Sequence, residues 1–154
     1  MTPAQVGRIT FSNITATTAT ATWAAVPQLD ANTPITYKVS TYVYTTLGYL
    51  ARTTYTTTTP TVALTGLIRA ATQLVYVTAY SGTLAGPISL GYSFNTPANV
   101  PGVVSSFTAT KTGNTTRLDW LAPSDTGGSA LTGFVLEKQS GTSWVSVASG
   151  NTTF

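Results

Sequence analysis

Four carboxylates are all the acid this sequence offers for catalysis or metal binding: Asp30, Asp119, Asp125 and Glu137. None falls in the spacing of a calcium loop. The chain contains neither His nor Cys, so the commonest general base, the commonest metal ligand and the thiolate nucleophile are missing together. Asp125 sits in the run SDTGGS, where Asp is ordinary turn chemistry. Arg117 and Asp119 share an outward parity, which places both in solvent. No G-x-S-x-G elbow and no Gly-rich phosphate loop occurs. The expectation is a protein that is not an enzyme, with no cofactor and no metal.

The positive charge is equally unfocused. Arg8, Lys38, Arg52, Arg69, Lys111, Arg117 and Lys138 are scattered along the chain, and the net charge is +3. Nucleic-acid binders cluster such residues to neutralise several phosphates at once, so no nucleic acid is expected as a partner. No apolar run approaches the length of a membrane-spanning helix, and the start MTPAQVGRIT shows no signal-peptide core. Three Asn-x-Thr sequons begin at Asn13, Asn114 and Asn151. In a chain with 34 Thr such matches arise by chance.

What remains chemically useful is aromatic: eight Tyr, five Phe and three Trp. Strands must position them. ATATW (Ala19 to Trp23) alternates small apolar residues with Thr. ITYKVSTYVY puts Ile35, Tyr37, Val39, Thr41 and Val43 on one face. ISLGYSF puts Ile88, Leu90, Tyr92 and Phe94 on one side and Ser89, Gly91 and Ser93 on the other. That period of two marks half-buried strands. The turn signals LDANTP, TLG, LTG and SGTLAGP separate them. Charged residues are only 7% of the chain, against about 25% in an average soluble domain. Thr takes their place, favouring strands while keeping an outer face wet.

A repeat underlies the pattern. Trp23 precedes Tyr37 by the same interval as Trp120 precedes Phe134, and a shift of 97 also lays Ala21 on Leu118 and Val39 on Leu136. About 100 residues is the usual size of one β-sandwich of the immunoglobulin class. The joint falls near FNTPANVPG, where Pro97 and Pro101 bracket a stiff linker.

These residues resemble a tandem of fibronectin type III domains. Trp23 and Trp120 match the core Trp of strand B, and Tyr37 and Phe134 match the inward aromatic of strand C. WLAPSDTGGSALTGFVLE fits the segment between them, LTGL (Leu64 to Leu67) resembles the E–F turn, and VTAYSGTLAGP resembles the end of strand F and its loop. The resemblance implies an all-β fold of Greek-key sandwiches, with residues 1–97 as a complete domain and 98–154 as the N-terminal part of a second. In the first, Ala21, Trp23, Tyr37, Val39, Val62, Leu64, Val75, Val77, Ile88 and Leu90 are expected inside. One departure stands out: where the family carries a corner tyrosine early in strand F, this chain has Gln73, so that loop must be anchored differently. The family's integrin-binding Arg-Gly-Asp tripeptide is absent as well.

In the second domain the resemblance places strands at Ser105–Thr110, Thr116–Trp120, Leu131–Lys138 and Ser143–Ala148, with NTTF beginning a further one. Strand C then lacks the F strand that normally pairs with it. Three explanations stand: the chain is the front of a longer polypeptide, another subunit donates the missing strands by β-augmentation, or packing in a particle orders this part.

Parity also builds a surface. With Tyr37 and Val39 inward, Tyr42 and Tyr44 point out; with Val75 and Val77 inward, Tyr76 and Tyr80 point out; Tyr49 follows on the next strand. Tyr covers contact area at low entropic cost, though it is also simply a good strand former. The expected function is a structural or adhesive module working through protein–protein contacts, in a bacteriophage virion as a tail, neck or decoration protein. The alternative is a spacer or accessory binding module of a secreted bacterial enzyme or adhesin. Expected partners are other structural subunits, with strand addition to the second domain as one route, and surface glycans. The expected location is a virion, or the extracellular space or cell surface.

Overall fold

Every regular element of the computed structural model, which describes residues 1–150, is a β-strand. The chain divides into two units, Met1–Ala98 and Asn99–Phe154.

In chain order the first unit carries β1 (Thr10–Ser12), β2 (Ala19–Thr22), β3 (Ile35–Thr45), β4 (Gly48–Thr57), β5 (Thr61–Leu64), β6 (Thr72–Ser81), β7 (Leu84–Ala85) and β8 (Tyr92–Asn95). One antiparallel sheet runs β1-β2-β5. The other runs β4-β3-β6, with β7 and β8 pairing different stretches of β6. The alternation in β3 and β6 is what packs these sheets. Ile35, Tyr37, Val39, Thr41 and Val43 of β3 are all buried, as are Gln73, Val75, Val77 and Ala79 of β6. The register sets Tyr37 opposite Ala79 and Val39 opposite Val77. Against them lie Ala19 and Ala21 of β2, Leu64 of β5, and Trp23. Each fully buried Val or Leu contributes about 1.5–3 kcal/mol of hydrophobic stabilisation.

The polar groups drawn inside are nearly all answered. The Tyr37 hydroxyl accepts a 2.9 Å bond from the Val26 N–H. Thr41 sits at a bulge where β4 carries extra backbone. Its hydroxyl donates to the Thr53 carbonyl at 3.0 Å and accepts from the Thr53 N–H at 3.1 Å. A Val at this position would leave both backbone groups unanswered.

Two inward expectations fail. Ile88 and Leu90 are 55% and 69% exposed, while Ser89 between them is buried. Pro87 has no N–H to give a ladder, and Gly86–Gly91 forms no regular strand. Instead the Ser89 N–H donates to the Val77 carbonyl, and the Ser89 hydroxyl accepts from the Val77 N–H, both at 2.9 Å. This two-point bond to β6 turns Ser89 inward and its neighbours outward. Regular pairing resumes at β8, where Phe94 is buried and Tyr92 is partly so.

The corner before β6 is held without a tyrosine. Gln73 Nε2 donates to the Ile68 carbonyl at 2.8 Å, and the Thr96 hydroxyl donates to the same oxygen at 2.6 Å. A tyrosine corner likewise bonds backbone a few residues upstream. Here an amide from β6 and a hydroxyl just past the end of β8 share that task. Tyr55 of β4 holds the other side: its hydroxyl donates to the Thr65 carbonyl at 2.8 Å and accepts from the Thr65 N–H at 3.0 Å.

The second unit has two hairpins: β9 (Ser105–Thr112) with β10 (Thr115–Leu121), and β11 (Phe134–Ser140) with β12 (Ser143–Gly150). The third strand therefore starts at Phe134 and not at Leu131, because Gly133 and the residues before it stay in the turn region. Asp125 shapes that region by accepting from the Gly127 N–H at 2.9 Å. Gly127 has φ +76°, and a Cβ there would run into the Asn99 carbonyl. Trp120 is buried, packing on Phe107 at 6.2 Å and edge-on to Phe134 at 5.8 Å. The segment NTTF lies outside the described residues.

Candidate interaction face

The inward alternation of β3 and β6 leaves their other parity on the far side of the sheet. From β3 that side takes Thr36, Lys38, Ser40, Tyr42 and Tyr44; from β6 it takes Thr72, Leu74, Tyr76, Thr78 and Tyr80. Lys38 is the one charge among these ten residues.

The register decides which rings meet. Tyr42 lies opposite Leu74, and Ser40 lies opposite Tyr76, so Tyr42 and Tyr76 are diagonal neighbours. Their centroids are 5.7 Å apart with the planes at 87°. Tyr44 lies directly opposite Tyr49 across the β3–β4 hairpin, at 5.2 Å and 63°. Both are edge-to-face contacts, the arrangement aromatic quadrupoles favour. Tyr42 and Tyr76 are half-buried, whereas Tyr44 and Tyr49 are 58% and 51% exposed. Tyr80 lies on the same face, opposite Thr36 and Ala85 and outside the two pairs.

Two contributors to this face were not singled out from the sequence. Leu74 shares the outward parity of Tyr76, so alternation alone could have found it. Gly91 could not be found that way. The Tyr76 ring lies over its backbone, and a Cβ at Gly91 would come within 2.9 Å of Tyr76 Cζ and Oη.

The acids do not converge. Asp30 accepts from the Asn32 N–H at 2.9 Å, which closes a turn. Asp119 pairs with Arg117 at 2.8 Å, both well exposed. Asp125 serves the turn described above, and Glu137 stands on β11. Among the described residues no group of His, Cys, Asp or Glu could hold a metal ion. What the tyrosine face offers is ring area and hydroxyls on a rigid sheet, which suits contact with another surface.

No protein-family model matches the sequence, and no curated protein matches it. Solved structures do. A human fibronectin type III domain aligns at 20% identity and a TM-score of 0.56, over 66% of this chain and 90% of its own. The fibronectin type III domain of the human collagen alpha-1(XX) chain aligns at 22% and 0.50, over 66% of this chain and 89% of its own. A myokine structure aligns at 24% and 0.51, over 62% of this chain and 99% of its own. At such identities the likeness speaks to fold, and the chain is an all-β protein with a fibronectin type III-like sandwich.

Proposed function

We propose that this chain is a non-enzymatic structural or adhesive module that works through protein–protein contacts, using the outer tyrosine face of the first unit. The observation that carries this reading is the pairing of Tyr42 with Tyr76 and of Tyr44 with Tyr49 on one sheet face whose strands β3 and β6 supply a single charge. Rings held edge-to-face lose little freedom on binding, and a face short of charge has little to desolvate. The ties around Thr41, Gln73 and Tyr55 keep the sheet beneath from yielding.

The setting we propose is a bacteriophage virion, with the module in a tail, neck or decoration protein. A Thr-rich surface supports this reading, since it stays wet without charge. Other structural subunits are the partners it favours, ahead of surface glycans. The test is the double variant Tyr42→Ala with Tyr76→Ala, purified and checked for an unchanged melting temperature. Weakened association with particles or isolated subunits from the native source supports the reading. Association equal to that of the unaltered protein removes it.

A further inference from the structure

Charge divides unevenly between the two units. In the first, Arg8, Lys38, Arg52 and Arg69 stand against Asp30, so the chain's formal excess of +3 lies there. In the second, Lys111, Arg117 and Lys138 balance Asp119, Asp125 and Glu137. Within the first unit the strands are one-sided. β1, β2 and β5 carry no charged residue. β3, β4, β6, β7 and β8 carry Lys38 and Arg52 and no acid. Asp30 lies in the turn before β3, engaged with the Asn32 N–H. Lys38 is exposed on the tyrosine side of its sheet. Thr56 and Thr78 lie opposite it, and Tyr76 and Tyr80 flank it diagonally on β6. Diagonal neighbours in a sheet are about 7–8 Å apart, so a surface that covers the Tyr42–Tyr76 pair also closes over Lys38. Taking an ammonium out of water without an opposite charge is costly.

We infer that the partner of the tyrosine face is an acidic protein surface, with a carboxylate set against Lys38 and apolar side chains against the two ring pairs. The inference rests on that face being the contact surface, and it names the chemistry of what meets it. The strand fixes the spacing. Tyr42 lies about 13 Å along β3 from Lys38, and Tyr44 about 20 Å. The partner's carboxylate therefore sits to one side of its apolar patch, which sets the orientation of docking. Opposite charge steers the encounter and turns away like-charged surfaces. A second copy of the first unit carries the same positive excess and no acid on this sheet, so it is the wrong occupant.

The test is an NMR titration of the whole chain at low salt with three polymers. These are a random glutamate–tyrosine copolymer, its lysine–tyrosine counterpart, and polygalacturonate, which has carboxylates but no aromatic rings. The expected result is saturable shift changes at Lys38, Tyr42, Tyr44, Tyr76 and Tyr80 with the first polymer, and binding at least about fivefold weaker with the other two. Lys38→Glu should weaken the first polymer about five- to tenfold and Lys38→Arg should not, the difference shrinking at high salt. Arg8→Glu makes the same change of charge outside this sheet and should weaken it less than about twofold. Four results would overturn the inference. No shift on the face leaves it without a ligand of this class. Equal weakening by Arg8→Glu reduces the attraction to diffuse charge. Equal binding of the lysine–tyrosine copolymer reduces it to ring contact, and equal binding of polygalacturonate makes a glycan the occupant. Failure here is separable from failure of the tyrosine reading. If the Tyr42→Ala, Tyr76→Ala variant loses association with native particles while Lys38→Glu keeps it, the tyrosine face stands and the acidic partner falls.

Discussion

In the first unit the Trp23 ring meets Tyr37 edge-on at 5.3 Å, and in the second Trp120 meets Phe134 in nearly the same way at 5.8 Å. Both indoles are buried, at 5% and 7% exposure. Around Trp23, however, lie two sheets with Leu64, Val75 and Val77 fully enclosed. Around Trp120 the neighbours are two hairpins, with Phe107 and Val135 more than half exposed. The comparison teaches that the same aromatic pair geometry forms whether or not its surroundings are sealed. Sealing the core is a separate task, and in the first unit β5, β6 and β8 perform it.

The largest test of that contrast is truncation of each indole. Trp23→Ala should cost the first unit about 3–5 kcal/mol in urea unfolding followed by NMR signals of each unit. Trp120→Ala should cost the second unit less, about 1–2 kcal/mol, because its open side lets neighbours close in. Equal losses would break the comparison. A finer test uses the one atom that distinguishes the two partner rings. Tyr37→Phe leaves the buried Val26 N–H without its acceptor and should cost about 1–3 kcal/mol. Phe134→Tyr, read in the same denaturant series, should change stability by less than about 0.5 kcal/mol.

Below these sits Thr96→Val. It removes a hydroxyl that donates to the Ile68 carbonyl and accepts from the Ala71 N–H at 3.2 Å. Gln73 still serves the carbonyl, so the loss should be about 1 kcal/mol, with faster amide exchange concentrated at Ile68–Ala71. The smallest effect belongs to the second unit. Arg117→Ala breaks an ion pair whose partners are 78% and 46% exposed. Screening holds such pairs to well under about 1 kcal/mol, so a thermal melt should barely move.

The strand alternation of β3 and β6 was legible because each buries one whole parity against the opposite sheet. The outward tyrosines followed from the same parity. Which of them touch did not, since Tyr42 reaches Tyr76 through the β3–β6 register and Tyr44 reaches Tyr49 through the hairpin register, and neither register is a local property. Ile88 and Leu90 misled because alternation assumes a regular ladder. Pro87 and the Ser89 bond to Val77 replace that ladder with an irregular crossing. The missing corner tyrosine was visible at Gln73. Its replacement was not, because Thr96 joins the corner from 28 residues away in sequence. In the second unit the strands were legible only through the resemblance, while the start of β11 was not, because its turn region depends on contacts made by Asn99 and Asp125.

Residue-resolved amide exchange on the whole chain tests the difference between the units most directly. Amides of Ile35–Thr45 should exchange only through global unfolding of the first unit, and those of Phe134–Ser140 that face away from β12 should exchange orders of magnitude faster. Equal protection of the two strands would contradict the account.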